Sequence, residues 1–327
     1  MTRRFSMTRR NALLATAGAA IAPAFAGGLA APARADAPMI GSSRPEVYRF
    51  KLGDFEITTI ADGAVQLDGP HPIFGNDQAP EAVQAYAEDN FLPPNRMEIS
   101  FTPVVVNTGD ELVMFDSGNG AGRRPNAGKL ASMLSAAGYS PDQIDVVVLT
   151  HFHPDHIGGL MEEGKPLFAN ARYVIPETEY AFWTSSDRMG TPAEGVAKLT
   201  AANVVPHVEK ATFIKDGADV ATGIRAVGTP GHTPGHTAYM IESAGRPFLL
   251  WGDVTNHYIV SLQRPDWHVS FDIDKDQAVK TRKAVLDMAA TDRIPVTGYH
   301  MPFPAVGYVE KVGDGYRWVP VSYQLRL

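Results

Sequence analysis

Residues 151–156 read His-Phe-His-Pro-Asp-His and place four side chains that can bind a metal within six positions. Three of the chain's ten histidines lie in this segment, which follows an apolar run at residues 146–149. Neutral imidazoles and a carboxylate form the ligand set that zinc and similar divalent ions prefer. A polar surface turn has no need of so many histidines, so the segment is predicted to be part of a metal site.

Three later polar blocks also follow apolar runs, as expected if several strand ends meet at one site. The blocks are Thr-Pro-Gly-His-Thr-Pro-Gly-His at residues 229–236, Gly-Asp at 252–253 and Tyr-His at 299–300. Taken alone, a histidine is more often a buried polar residue than a ligand, and Gly-Asp is more often a turn. Their combination with the first block is what indicates a shared site.

This order of blocks resembles the metallo-β-lactamase superfamily of dinuclear metal hydrolases. The resemblance implies that His151, His153 and His232 hold one metal, that Asp155, His156 and His300 hold a second, and that Asp253 bridges them. The implied cofactor is two divalent metal ions, with zinc expected first and manganese, cobalt or iron as alternatives. His236 stands four residues beyond His232 and is interpreted as a structural neighbour of the ligands.

Two cations about 3.5 to 4 Å apart can share a hydroxide, because their paired charge lowers the pKa of bound water from 15.7 towards roughly 7. That metal-bridging hydroxide is the predicted nucleophile. The sequence contains no G-x-S-x-G segment and no cysteine, so nothing in it points to a protein nucleophile. Asp253 and Asp155 are the predicted catalytic residues. Asp253 acts by bridging, and Asp155 acts either as a ligand only or also by orienting the hydroxide and moving its proton.

Longer segments narrow the resemblance to the methyl parathion hydrolase group, and it covers most of the chain from about residue 48. The segments that carry it are residues 149–160, 251–254, 300–304 and 315–320. It implies an exported hydrolase of neutral organophosphate triesters, lactones or related esters. Because such a hydroxide can attack either phosphorus or a carbonyl carbon, the substrate stays open. The alternatives are a quorum-quenching lactonase of acyl homoserine lactones, a β-lactam hydrolase, and a periplasmic domain that binds metal without turnover.

Aromatic residues outside the ligand blocks are candidate walls of the substrate pocket, although each is equally consistent with a place in the core. They are Phe91, Phe182, Trp183, Tyr258 and Trp267. Tyr299, beside the last ligand, is interpreted either as a hydrogen-bond donor to a developing oxyanion or as a core residue. His257, soon after Asp253, is a further candidate donor near the metals.

The first 35 residues have the pattern of a twin-arginine export signal. Two arginine pairs, at residues 3–4 and 9–10, precede an uncharged stretch at 12–32 and an Ala-Arg-Ala sequence at 33–35. The chain is therefore predicted to use the twin-arginine export machinery and to be periplasmic or secreted, with cleavage after Ala35. Cleavage after Ala37 and an uncleaved anchor are the alternatives. The absence of cysteine is compatible with an oxidising compartment.

Loss of this leader removes five arginines and no acidic residue, which changes the formal net charge from −7 to about −12. Such a charge repels nucleic acid, and no basic run interrupts it. The predicted partner is a small neutral ester substrate, nucleic acid is excluded, and a homodimer is left open. Residues 36–327 are predicted to form a single domain, because no Ser/Gly-rich linker divides them.

Alternating hairpin, strand and helix patterns must position these blocks. Hairpins are predicted at residues 48–60 and 102–116, strands at 145–150 and 172–175, and helices near 81–87, 129–137, 177–183 and 278–290. Residues 68–100 are predicted to be an irregular insertion around the first of these helices. Periodicity alone supports an α/β fold. The resemblance implies an αββα sandwich, in which two mixed β-sheets pack together with helices on the outer faces.

Overall fold

Apolar strands in the first half of the chain form a mixed sheet of seven strands. Across the sheet they lie in the order β1 (Val47–Leu52), β2 (Phe55–Ile60), β5 (Val104–Asn107), β6 (Leu112–Phe115), β7 (Val146–Val148), β10 (Arg172–Pro176) and β11 (Ala211–Ile214). The pairs from β1 to β6 are antiparallel, whereas β6, β7, β10 and β11 run parallel to one another. The two predicted hairpins are confirmed as β1–β2 and β5–β6.

The second half of the chain forms another sheet of seven strands in chain order. These strands are β12 (Asp219–Ala221), β13 (Ile224–Gly228), β14 (Thr237–Ser243), β15 (Arg246–Leu250), β16 (Val296–Thr297), β17 (Val306–Val312) and β18 (Gly315–Pro320). Only the pair β15–β16 is parallel within this sheet of the described chain. This parallel pair matters for the site because both of its strands end at the same edge.

Helices connect and cover the strands. They are α1 (Pro80–Asp89), α2 (Leu130–Ala136), α3 (Pro154–Ile157), α4 (Glu177–Thr184), α5 (Glu194–Asn203) and α6 (Lys275–Thr291). Asp274 precedes α6, and its side chain accepts a hydrogen bond from the backbone N–H of Gln277 and so caps the first turn. The four predicted helices are confirmed as α1, α2, α4 and α6, whereas α3 and α5 are additions to the prediction.

Period-two alternation along the strands builds the core in layers. Val104 and Val106 point between the two sheets, whereas Val105 points to the outer face of the first sheet. Leu134 of α2 covers that outer face, and Leu286 of α6 covers the outer face of the second sheet. The layers therefore run helix, sheet, sheet, helix, and the predicted αββα sandwich is confirmed.

A small hairpin corrects the prediction of an irregular insertion at residues 68–100. Strands β3 (Gly63–Asp68) and β4 (Arg96–Phe101) pair antiparallel on either side of α1. Its buried side chains, such as Ile99 and Phe101, pack with Tyr299 next to the last candidate ligand. The pairing joins segments that are separated by a helix and by proline-rich turns, so no local alternation predicts it. A second small hairpin consists of β8 (Met161–Glu162) and β9 (Lys165–Pro166).

The computed structural model describes residues 37–41 and 43–322. The predicted export signal at residues 1–35, with its arginine pairs and its first cleavage site, lies outside the described residues. The described residues from Arg44 to Ser322 belong to one compact unit, and the predicted boundaries of the domain stay a prediction. Among the described residues, no helix is long and apolar enough to cross a membrane.

Candidate metal centre

Strand ends bring all seven candidate ligands to one edge of the sandwich. The segment with the first four ligands follows β7, and His232 lies in the loop between β13 and β14. Asp253 and His300 follow β15 and β16, which are parallel neighbours and so deliver both side chains to the same edge. The order of apolar runs and polar blocks in the sequence thus becomes a cluster in space.

The first group of side chains comprises three imidazoles and one carboxylate. His151, His153, His232 and Asp253 each offer one ligand atom, and these four atoms lie within 4.8 Å of one another. His232 Nε2 is 2.9 Å from His153 Nδ1 and 3.3 Å from Asp253 Oδ2, and His151 Nε2 is 3.9 Å from the same oxygen. This is a donor set for one cation.

The second group comprises Asp155, His156 and His300, whose ligand atoms are equally close. Asp155 Oδ2 lies 3.4 Å from His156 Nε2 and 3.5 Å from His300 Nε2. Asp253 contacts this group as well, because its Oδ1 is 3.3 Å from His156 Nε2 and its Oδ2 is 3.0 Å from His300 Nε2. Its carboxylate therefore lies between the two groups, where the predicted bridging residue is required.

Buried polar atoms without partners test whether cations fit here. Among the described residues, His151 Nε2, His156 Nε2 and Asp253 Oδ1 are buried and make no hydrogen bond. Buried nitrogen and oxygen atoms nearly always have a partner, and these three face one another across the cluster. Imidazole nitrogens and carboxylate oxygens are ligands that a divalent ion of the zinc type accepts. The residues present therefore fit two such cations.

Asp116 orients two of the imidazoles. Its Oδ2 accepts hydrogen bonds from His156 Nδ1 and from the Thr150 hydroxyl, both at 2.8 Å, and Thr150 Oγ1 lies 3.1 Å from His151 Nδ1. Because the Thr150 hydroxyl donates to Asp116, its oxygen is left to accept from His151. Asp116 itself has φ 59°, a left-handed backbone conformation that non-glycine residues adopt infrequently. The Nδ1 protons are thus fixed, and each Nε2 lone pair points at the centre.

Two further imidazoles are held in the same way. His232 Nδ1 lies 2.8 Å from Asp272 Oδ1, and His300 Nδ1 donates to the backbone carbonyl of Ser100 at 2.8 Å. Asp272 also accepts from the buried guanidinium of Arg282 at 2.9 Å. These contacts again turn the Nε2 atoms towards the cluster, where His232 Nε2 lies 2.9 Å from His153 Nδ1 and His300 Nε2 lies 3.0 Å from Asp253 Oδ2.

The histidines of the centre differ in pKa, because nearby carboxylates raise the pKa of some and burial lowers the pKa of others. Burial lowers the pKa of His232, but the hydrogen bonds that its ring donates to Asp253 and Asp272 outweigh this effect and raise the pKa to about 9. Burial lowers the pKa of His153 to about 3, and the neighbouring His232 adds to this effect. Without a cation, protons on histidine therefore balance the buried carboxylates. A cation must displace these protons when it binds.

His236 and Tyr299 take structural roles. His236 Nδ1 lies 2.7 Å from the Thr229 hydroxyl, and its Nε2 accepts from the backbone N–H of Asp253 at 3.0 Å. Both ring nitrogens of His236 are thus occupied, which supports its interpretation as a neighbour of the ligands. Tyr299 donates its hydroxyl to the Asp155 carbonyl at 2.6 Å and packs on the His156 ring. That hydroxyl is committed to the backbone, so of the two interpretations the core position is the one observed.

The five aromatic wall candidates lie in different environments. Tyr258 is half-buried and lines two cavities, one of which His300 also lines, whereas Phe91 is 99% exposed just after α1. Trp183 is buried with its ring against His153, and Phe182 packs on Trp183. Trp267 packs on the Tyr86 ring. Only Tyr258 among the five lines these two cavities, and His257 lines both beside it.

Several polar residues of the centre were missed by sequence reasoning. They are Asp116, Glu179, Asn256, Asp272 and Arg282. Asp116 follows β6 in an Asp-Ser-Gly turn, and that position after an apolar strand is the one signal that could have identified it. The others are single polar residues without a pattern.

Comparison with known proteins gives a family. The family model described as Metallo-beta-lactamase superfamily matches residues 102–293, which is more than half of the chain. Among curated proteins, the N-acyl homoserine lactonase AiiA of Bacillus thuringiensis subsp. kurstaki is 28% identical over 115 residues. The match covers 35% of this chain and 40% of that lactonase, so the chain spans less than half of this relative's length.

Two solved structures are similar over most of the fold. AidC, a dizinc quorum-quenching lactonase solved in complex with a product, has a TM-score of 0.78 and 26% identity, covering 85% of this chain and 98% of AidC. AbOPH, a hydrolase in the beta-lactamase superfamily, has a TM-score of 0.79 and 26% identity, covering 86% of this chain and 99% of AbOPH.

Proposed function

Because this chain belongs to the metallo-beta-lactamase superfamily, we propose that it is a dinuclear metal-dependent hydrolase of small neutral esters, with a lactone as the favoured substrate. The observation that carries the proposal is the convergence of seven candidate ligands around buried nitrogen and oxygen atoms that lack partners. Similarity to the dizinc lactonase AidC supports the same chemistry. Zinc is the proposed ion because histidine and aspartate dominate the donor set.

Different residues of the chain would bind each of the two cations. His151, His153 and His232 would hold one, Asp155, His156 and His300 would hold the other, and Asp253 would contact both. When bound, the cations lower the pKa of water and polarise the oxygen of the scissile group. Asn256 Nδ2 donates to Asp253 Oδ2 at 2.9 Å and fixes the orientation of that carboxylate.

Asp155 is the candidate residue for proton transfer. Its side chain is 15% exposed, whereas His151 and His156 are fully buried, so Asp155 lies at the mouth of the centre. A carboxylate in that place can orient an attacking water and accept its proton. The Tyr299 hydroxyl donates a hydrogen bond to the backbone carbonyl of Asp155 and so fixes the position of this residue. We therefore assign it both the ligand role and the proton-accepting role.

A cavity of about 660 Å³ reaches the centre at His300. Apolar and aromatic side chains such as Tyr258 and Phe303 form part of its wall. Its four charged residues are Arg44, Glu46, Glu98 and Lys129, and Arg44 pairs with Glu98 at 2.6 Å. Two basic and two acidic groups balance, so the wall adds no net charge and suits a neutral, partly apolar ester.

Two observations bear on the substrate class. Curated lactonase relatives and AidC favour a lactone such as an acyl homoserine lactone. The segments at residues 149–160 and 315–320, which resemble the methyl parathion hydrolase group, favour a neutral phosphotriester as the second candidate. Both reactions need the same nucleophile, and the shape of the cavity decides between them.

A substrate panel tests the proposal. With one zinc-loaded preparation, kcat/KM for an acyl homoserine lactone is expected to exceed the values for a dialkyl aryl phosphotriester, an aryl ester and a β-lactam by about tenfold or more. A factor of ten corresponds to about 1.4 kcal/mol of transition-state preference. Steady-state rates measure it, with the Asp253→Ala variant as the background control. A tenfold preference for the β-lactam would show that the assigned branch is wrong, and a tenfold preference for the phosphotriester would reverse the order of the two candidates.

Export by the twin-arginine route is the second part of the proposal, supported by the arginine pairs at residues 3–4 and 9–10. Changing all four arginines to lysine keeps the charge of the leader but is expected to leave most of the chain in the cytoplasm, because the route recognises arginine. Fractionation of cells that express both forms, followed by immunoblotting, measures the distribution. Normal periplasmic appearance of the lysine variant would contradict this route. Homodimer formation stays a prediction.

A further inference from the structure

Glu179 of α4 is a buried carboxylate that the proposed reaction does not use. Its side chain is fully buried, and each of its oxygens accepts two hydrogen bonds. Oε1 accepts from the Phe152 backbone N–H at 3.0 Å and from Trp183 Nε1 at 2.7 Å. Oε2 accepts from the Thr233 hydroxyl at 2.7 Å and from the Gly235 backbone N–H at 2.9 Å. Glu179 is therefore a buried carboxylate with four hydrogen bonds on a helix that carries no candidate ligand. A buried polar group that is satisfied so completely suggests a specific role.

Three of the four donors lie in the two loops that hold the histidines of the first group, and the fourth, Trp183, lies on α4 itself. Phe152 stands between His151 and His153, and Thr233 directly follows His232. The first loop leaves a strand of the first sheet and the second loop joins two strands of the second sheet, so Glu179 links the sheets at the metal edge.

The helix backbone touches the second loop directly at Gly235. A Cβ atom at Gly235 would lie 2.1 Å from the backbone nitrogen of Glu179, so only glycine permits this approach. Trp183, one turn further along α4, donates to Glu179 and also packs its ring against His153. Helix α4 thus contacts both ligand loops, through the Glu179 carboxylate, the backbone at Gly235 and the Trp183 ring.

The hydrogen bonds favour the ionised form of Glu179. Three of its four partners are N–H groups, which can only donate, and a carboxylate accepts from all four. Burial raises the pKa of this carboxyl, and the bonds from Thr233, Trp183, Phe152 and Gly235 oppose the rise. None of these partners is basic, so the negative charge has no paired cation among them. An uncompensated buried charge next to a cation site strengthens cation binding, because Coulomb interactions are poorly screened there.

We propose that Glu179 is a positioning residue that sets the affinity of the cation held by His151, His153 and His232. The inference rests on the proposed metal-dependent function. The second group has its own supports in Tyr299, which holds Asp155, and in the Ser100 carbonyl, which holds His300. Asp116 holds His156 and, through Thr150, also supports His151 of the first group, but Glu179 makes no hydrogen bond to any ligand of the second group. Loss of Glu179 therefore weakens one cation selectively, and the other is retained.

The test is the Glu179→Gln variant of the full chain, which keeps the shape of the side chain, removes its charge and turns an amide NH2 towards two donors. Competition with a chromophoric chelator measures the dissociation constants of both zinc ions. The affinity of one zinc is expected to fall by about 10- to 100-fold, the usual effect of losing such an outer contact, while the other changes by about threefold or less.

Two ligand-deletion backgrounds identify which cation is affected. His300→Ala leaves the first group intact, so adding Glu179→Gln is expected to weaken the remaining zinc. His232→Ala leaves the second group intact, so adding Glu179→Gln there is expected to have little effect on the remaining zinc. Equal weakening in both backgrounds would overturn the inference, because it would indicate a general loss of structure.

A matched control separates folding from cation binding. Asp62 is another fully buried carboxylate with four donors, which come from Asn119, Gly128 and Leu130 and not from either loop of the first group. Asp62→Asn is expected to lower the melting temperature without the selective loss of one zinc. If Glu179→Gln does not fold, Thr233→Val removes one of the four donors and is expected to weaken the same zinc. Wild-type chain that binds no zinc would refute the proposed function, whereas two unchanged affinities in Glu179→Gln would refute this inference alone.

Discussion

Replacement of Asp253 by alanine is expected to remove at least one of the two cations and to lower kcat/KM by about a thousandfold or more. The carboxylate contacts both groups, with Oδ1 3.3 Å from His156 Nε2 and Oδ2 3.3 Å from His232 Nε2. Without it, imidazoles from the two groups face one another with no negative charge between them, and two cations would repel each other at close range. A thousandfold loss corresponds to about 4 kcal/mol of transition-state stabilisation.

Elemental analysis of the purified variant and steady-state rates measure both effects. His151→Ala is the comparison, because it removes a ligand of the first group only and is expected to leave one cation in place. Asp219→Ala is the control, since Asp219 is an exposed carboxylate whose ion pair with Arg225 contributes little. Two tightly bound cations per chain in the Asp253→Ala variant would refute its bridging role.

The candidate ligands can be predicted from the sequence because each one lies just beyond an apolar strand. The run of valines at β7 and the apolar residues of β15 are recognisable without any tertiary information, and the polar blocks after them are short. In the structure β15 and β16 are parallel neighbours and end at the same edge, which brings together the blocks that follow them. The resemblance then assigns them to two groups.

The residues that orient the ligands cannot be predicted in this way. Asp272 is 40 residues from His232, and Glu179 is 56 residues from its partner Gly235. Each is a single acidic residue with no periodic neighbours, and their pairings depend on how loops pack. The hairpin of β3 and β4 was missed for the same reason, because α1 and several turns separate its two strands.

Aromatic side chains show a further limit of sequence reasoning. Their size predicts a large contact area, but not which surface they cover. Trp183 uses its indole nitrogen to bind Glu179 and its ring to support His153, whereas Tyr258 lines the cavities. Whether an aromatic residue supports a ligand or lines a cavity depends on the direction in which the local backbone points its side chain.

Buried charge in the centre links metal binding to pH. In the metal-free chain, the hydrogen bonds that His232 donates to Asp253 and Asp272 raise its pKa to about 9 against the effect of burial. A group whose folded pKa is raised stabilises the fold fully below its unfolded pKa, near 6.5, and this contribution is lost as pH rises through about 9. In the metal-free chain, the proton on His232 therefore stabilises the fold at the position where a cation would otherwise bind.

Removal of metal by a chelator is expected to abolish hydrolysis and to lower the melting temperature, by an amount that grows with pH. Binding at a thousand times the dissociation constant stabilises a fold by about 4 kcal/mol, which for a chain of this size corresponds to roughly 5 to 10 °C. As pH rises from 6 to 9, the cations no longer compete with protons on histidine, and the metal-free chain loses the contribution of protonated His232. Both changes increase the difference in melting temperature between the metal-loaded and the metal-free chain.

Thermal unfolding at pH 6, 7.5 and 9 measures this gap for loaded, chelated and reloaded samples, together with the rate of ester hydrolysis. Reloading with zinc is expected to restore both the melting temperature and the activity, which distinguishes reversible metal loss from damage to the fold. The Asp253→Ala variant is the matched control, since a centre that cannot hold both cations is expected to show a smaller gap at every pH. Hydrolysis that survives complete chelation would exclude a metal-dependent mechanism. A gap that stays constant from pH 6 to 9 would show that protons and cations do not compete for the same histidines.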